Sequence, residues 1–363
     1  MLILRRSLLA LPLLACEAAG QPPVPTPLRG PFDPSALRQR HASARAPGFR
    51  CAQPVPPVQD LEGVTFYTDA AFSVADPARL AADTAASRPL AQWQDAIQSP
   101  MAAWLRGAGP TAASCGLTHL DAWAEAGALL GRFNNQGAYH RKWALGGAAL
   151  AFLALRDAEG EDPARLARIA AWLRRVAIAV QPPYDRPPRP DPRPQTQMNN
   201  HAYWAGVAVG AAAIAAGDRA LLDWAVERAR IGLRQVTAEG ALPQELARRR
   251  QALSYHLFSL APLAAVERMA LANGIALGAA ETAALDRLSA FTWAALADPS
   301  RIAELAGEAQ SRPGGAEPPT LREGHGFEIR QAIRPDPGQQ AALAPLRPLR
   351  QRWLGGEVSL LWG

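Results

Sequence analysis

Lysine is almost absent from this 363-residue chain: of its 38 lysines and arginines, only Lys142 is a lysine. Arginine's planar fork suits carboxylates and phosphates. The formal net charge of +6 therefore points to an acidic partner, whether polysaccharide, nucleic acid or membrane surface. The competing explanation is that arginine simply replaces lysine in a GC-rich coding sequence. Cysteine is scarce too, with three residues. No CxxC or HxxxH pairing occurs, the six histidines are scattered and the carboxylates do not cluster, so no metal site is expected. No glycine-rich phosphate loop follows a strand. Past the first residues, no run has the length and apolarity of a membrane-spanning helix. β-Branched residues are sparse, while alanine and leucine dominate a chain that is 49% hydrophobic. Helix is the expected class.

Residues 1–20 have the form of an export signal, with Arg5 and Arg6 before the apolar stretch 8–15 and small residues after it. Leu13-Leu14-Ala15-Cys16 has the form of a lipoprotein signal box, which makes a lipid anchor at Cys16 the alternative to free export. The periplasm is the expected compartment, and nucleic-acid binding is not expected of an exported chain whose arginines are spread over helix faces. With Cys16 removed or lipidated, Cys51 and Cys115 remain to form one disulfide. Residues 21–60 are rich in proline and expected to be irregular. Residues 61–363 read as one helical domain.

From about residue 90 the pattern is helix after helix. Residues 117–130 and 163–180 are amphipathic, whereas 142–155 and 201–216 are apolar all round and should be buried. A proline-rich loop, 181–196, separates 163–180 from 201–216. Further helices are expected over 219–238, 244–272 (one long helix) and 281–297, with a short strand at 357–361. Buried small-residue helices alternate with arginine-bearing ones, as when an outer ring of helices wraps an inner ring. Periodicity alone leaves a toroid, a repeat array and a bundle open.

Three polar clusters interrupt this pattern. Asn199-Asn200-His201-Ala202-Tyr203-Trp204 packs two amides, an imidazole, a phenol and an indole into six residues. At helical spacing, Asn200 and His201 share a surface with Trp204. That surface offers an amide donor, a base and a flat apolar platform; the alternative is an asparagine-capped helix with its aromatics in the core. In the second cluster Arg248 and Tyr255 are seven apart, on one face of the expected helix. A guanidinium there would lower the phenol pKa and suit the tyrosine to acid–base work. The alternative is a solvated arginine face beside a core tyrosine. The third cluster, Gln136, Tyr139, Lys142 and Trp143, has the equipment of a sugar subsite, or of a capped loop with an anchoring tryptophan. Asp121 and Glu125 form the one candidate carboxylate pair for glycoside hydrolysis, but they sit among Leu120, Trp123 and Ala124.

Taken together, Asn-Asn-His-x-Tyr-Trp at 199–204, Leu-Pro-x-Glu-Leu at 242–246, Arg248 and Tyr255 resemble the periplasmic alginate lyases of polysaccharide lyase family 5. Leu120-Asp121-Ala122-Trp123-Ala124-Glu125, Arg141-Lys142-Trp143-Ala144-Leu145-Gly146 and Leu354-Gly355-Gly356-Glu357-Val358 extend the resemblance from about Cys51 to the C-terminus. The resemblance implies an all-α, incomplete (α/α) toroid with a deep groove that cuts a mannuronate polymer by β-elimination, as a monomer without cofactor. It implies that Asn200 neutralises the C5 carboxylate, that His201 and Tyr255 are base and acid, and that Arg248 biases Tyr255 toward phenolate. Gln136, Lys142, Trp143, Asn199, Tyr203 and Trp204 would bind the sugars. Three features depart from the family: the lid stretch Phe66–Phe72 lacks the usual lysine, the C-terminal cysteine pair is missing, and the proline-rich loop before Asn199 is enlarged. A lyase on another uronate polymer, or a binding protein that keeps the groove without turnover, is the alternative.

Overall fold

A computed structural model describes residues 27–43, 48–190 and 193–363. The expected signal segment and Cys16 lie outside the described residues. Fourteen α-helices occur among the described residues. The first, α1 (Pro34–His41), starts where Asp33 accepts the Ser35 and Ala36 amides and Pro34 supplies a preset φ. The proline-rich N-terminal segment is thus not wholly irregular.

The body is built from α2 (Pro77–Leu105), α3 (Pro110–Glu125), α4 (Asn135–Leu155), α5 (Pro163–Val180), α6 (Asn200–Ala216) and α7 (Arg219–Leu233). A single turn, α8 (Pro243–Leu246), precedes α9 (Ala252–Ala272), α10 (Ala279–Ala297) and α11 (Ser300–Ala306). Three short helices close the chain: α12 (His325–Arg330), α13 (Pro337–Leu343) and α14 (Val358–Leu361). Helix starts follow the sequence chemistry. Asp76, Asn134, Asp162, Asn199 and Asp218 each cap a following helix by accepting a first-turn amide.

Helices α2, α4, α6, α9 and α12 pack in succession, and α3, α5, α7 and α10 pack outside them. Helices α4 and α6 are buried almost throughout, as their unbroken apolar sequences require. Small residues let the rings close up. A Cβ on Gly147 would lie 2.4 Å from the Arg352 carbonyl, and one on Gly232 2.5 Å from the Tyr203 ring. The ring is open between α2 and α12, where C-terminal residues pack against both. There Arg350–Gln351 and Gly356–Glu357 form a two-stranded antiparallel pair. The expected strand at 357–361 therefore ends after one residue, and the apolar remainder becomes α14. Cys51 and Cys115 form a disulfide that ties the N-terminal segment to α3. No helix among the described residues is long and apolar enough to cross a membrane.

The largest difference from expectation lies at 244–272. Instead of one helix, the chain makes α8, bends through Arg248 (φ −81°, ψ 4°) and the left-handed Arg249 (φ 53°), then enters α9. Arg248 is thus in a turn, not two helical turns below Tyr255.

Candidate active site

The first turns of α4, α6 and α9 open onto one cleft of about 500 Å3. Gln136, Tyr139 and Trp143 line it from α4, Asn199, His201 and Trp204 from α6 and its cap, and Tyr255 and Phe258 from α9. Three helix N-termini carry partial positive charge toward the same space. Arg248 adds a whole charge. It is buried and makes no ion pair among the described residues, unlike its neighbours Arg249 and Arg250, which share Glu308. The floor is aromatic: Trp143 stacks on Trp353 at 4.1 Å and 5°.

A hairpin over 66–76 covers the Tyr255 side. Asp69 accepts the Ser73 and Val74 amides and the Ser73 hydroxyl, and Phe72 takes a left-handed φ of 51°. Such a φ is rare for a bulky residue, and this network holds it. The hairpin delivers Tyr67, whose hydroxyl donates to Gln251 at 3.1 Å and stands 2.6 Å from that of Tyr255. With its own proton on Gln251, Tyr67 accepts the Tyr255 proton. Gln251 in turn donates to the Ser73 carbonyl, closing the loop.

The guanidinium of Arg248 lies 3.7 Å over the ring of Tyr255. Burial nevertheless pushes the Tyr255 phenol well above its ordinary range, against the opposing pull of Arg248. The expected pull of Arg248 toward phenolate is present but outweighed: desolvation exceeds the effect of a cation placed over the ring, and the phenol keeps its proton. His201 is held well below its ordinary range chiefly by burial, and the positive charge of Arg248 pushes the same way. Its ring lies flat against Tyr139 at 4.0 Å, and Nδ1 is 2.7 Å from the Lys142 Nζ. The cleft thus holds a neutral imidazole, a protonated phenol and a fixed cation.

Three expected site residues stand elsewhere. Lys142 is fully buried behind His201, bonded to the Tyr184 hydroxyl, because the face of α4 that carries it turns inward. Tyr203 is fully buried between α6 and α7 and donates to the Met198 carbonyl; it is core. Asn200 is fully buried beneath the cleft wall. Its backbone and side-chain amides both donate to Glu245, leaving Oδ1 without a partner. Asp121 and Glu125 pair with Arg168 away from the cleft. Tyr67, Glu245, Gln251 and Trp353 were not legible as site residues. Tyr67 and Tyr255 are 188 residues apart, and no local pattern reports so distant a contact.

The alginate lyase family profile matches residues 67–302. A polysaccharide lyase from Stenotrophomonas maltophilia (strain K279a) is 32% identical over 339 residues, covering 92% of this chain and 96% of the relative. An alginate lyase of Azotobacter vinelandii is 42% identical over 199 residues, 53% of this chain and 52% of that protein. In fold, the chain is similar to alginate lyase A1-III from Sphingomonas species A1, with a TM-score of 0.70, 21% identity, and 92% and 95% of the two chains covered. The architecture is the (α/α) toroid, and the chain belongs to the alginate lyase family.

Proposed function

We propose that the protein is an exported lyase that cuts alginate by β-elimination, with mannuronate blocks as its first substrate. The observation that carries the reading is the meeting of unpaired Arg248, neutral His201 and protonated Tyr255 on one cleft lined with aromatic rings. A C5 proton beside an ionised carboxylate is too weakly acidic to remove until that charge is neutralised. Arg248 and the helix N-termini supply the positive potential. His201 takes the C5 proton, the C5–H electron pair becomes the C4=C5 double bond, and the C4–O4 bond breaks. Tyr255 gives its proton to the departing O4. Trp143, Trp204 and Gln136 line the sugar path, and Asn200 acts from behind the wall through Glu245. The disulfide supports export to an oxidising compartment such as the periplasm.

The test is incubation of the purified protein with polymannuronate and with polyguluronate while following the ultraviolet absorbance of the conjugated unsaturated uronate. Absorbance growth is expected, faster on polymannuronate. New reducing ends without absorbance would identify a hydrolase, and binding without new ends a groove that has lost turnover.

A further inference from the structure

The chain uses arginine for its cations everywhere except at one position, and that position touches the imidazole at the cleft. Nζ of Lys142 lies 2.7 Å from Nδ1 of His201, 3.0 Å from the Tyr184 hydroxyl and 4.4 Å from the centre of the Tyr139 ring. No carboxylate among the described residues forms an ion pair with it. The residue is wholly buried. A buried ammonium without a counter-ion is costly, and such a group sheds its proton instead. An arginine could not do so, because its guanidinium stays protonated in proteins.

Resting on the lyase reading above, we propose that Lys142 is a positioning residue: its neutral amine accepts the Nδ1–H of His201, so that Nε2 faces the cleft as a free base. A neutral amine has two N–H groups and one lone pair, and the site matches all three. One N–H meets the Tyr184 oxygen, the other the face of Tyr139, and the lone pair meets Nδ1. The opposite assignment, an ammonium donating to Nδ1, would put the remaining imidazole proton on Nε2. His201 would then be a hydrogen-bond donor, unable to take the C5 proton. Burial lowers the Lys142 pKa well below the ordinary lysine range, in the same direction. The other groups that face the pair are Tyr139 on α4, Tyr184 after α5, and Arg248 and Tyr255 across the cleft; none is a carboxylate. Nε2 has no protein partner among the described residues. When it accepts the substrate proton, the imidazolium still has the Lys142 lone pair to receive Nδ1–H, which stabilises the charged form at the moment it appears.

The tautomer is read by nitrogen NMR of the full-length protein labelled with 15N-histidine, with His201→Gln used to assign the resonances. At neutral pH the expected spectrum has His201 Nε2 as an unprotonated, pyridine-type nitrogen and Nδ1 as the protonated one. A protonated Nε2 in the wild type overturns the proposal. Because this readout needs no substrate, it stands apart from whether the protein cuts alginate. In kinetics, Lys142→Met is expected to lower kcat about tenfold to a hundredfold, the size of one lost hydrogen bond to a charged group, with KM changed less than about twofold. Lys142→Arg, a permanent donor, should do the same and move the proton onto Nε2. Unchanged kcat in a folded Lys142→Met would also overturn the role, and if neither variant folds the wild-type spectrum alone decides.

Discussion

The hydroxyl oxygens of Tyr67 and Tyr255 stand 2.6 Å apart, with the Tyr67 proton committed to Gln251. The acid proton of Tyr255 therefore points at the hairpin until substrate arrives to take it. Tyr255→Phe removes the proton donor to O4, and kcat should fall about a thousandfold, within the range for losing a general acid, while the circular dichroism spectrum stays unchanged. Tyr67→Phe only releases Tyr255 from its resting partner. It should lower kcat/KM by about tenfold or less, the size of one hydrogen bond. Steady-state kinetics on polymannuronate checks both, and a Tyr255→Phe variant with full activity would remove that residue from its role.

Arg248 is buried without an ion-pair partner, so its charge is held ready for an anion. Arg248→Ala should lower kcat/KM about a hundredfold or more, as for other removed charge-stabilising groups. Arg248→Lys should recover little of it, because an ammonium lacks the planar fork. Competition by unreactive uronate oligomers should weaken in parallel, which isothermal titration would read.

Glu245 accepts two amide donors of Asn200 and the Ser259 hydroxyl in a fully buried site. Glu245→Ala strands those donors, and buried unsatisfied groups cost about 1–3 kcal/mol each. Thermal melting should show a loss of about 2–4 kcal/mol. An unchanged melting temperature would mean that Asn200 finds other partners.

His256 is buried with Nδ1 donating to the Ala252 carbonyl and Nε2 accepting the Leu242 amide. Both nitrogens are spoken for in the neutral ring, and burial lowers its pKa to about 4. The unfolded chain binds the proton near pH 6.5, so between those values the unfolded state holds more protons. Stability therefore falls as pH drops from about 6.5 toward 4, by up to about 3 kcal/mol. Melting temperatures over that window should slope accordingly, and His256→Gln should make the slope shallower, the buried His201 keeping its own share.

Much of the fold was legible because its signals are local. The all-apolar runs of α4 and α6, the Asp and Asn caps and the glycine stop at Gly217 each act within a few residues. The break between α8 and α9 was not: Leu-Ala-Arg-Arg-Arg-Gln contains no proline or glycine. The bend is held by distant contacts instead, with Gln251 tied to the hairpin and Leu253 capped by Gln310. The Asn-Asn-His and Arg–Tyr clusters did mark the cleft. Their arrangement in depth, with Lys142, Asn200 and Tyr203 behind the wall rather than on it, depends on which side of each inner helix meets the next. Helices apolar on every face carry no periodicity that reports this.

The most direct test of the central claim is the mass of the oligosaccharides released from polymannuronate. Elimination adds no water, so each new non-reducing end should be lighter by one water than a hydrolysis product and should absorb in the ultraviolet. That signal should be lost in Tyr255→Phe. Products carrying the added water, or none at all from a folded and secreted protein, would contradict the account.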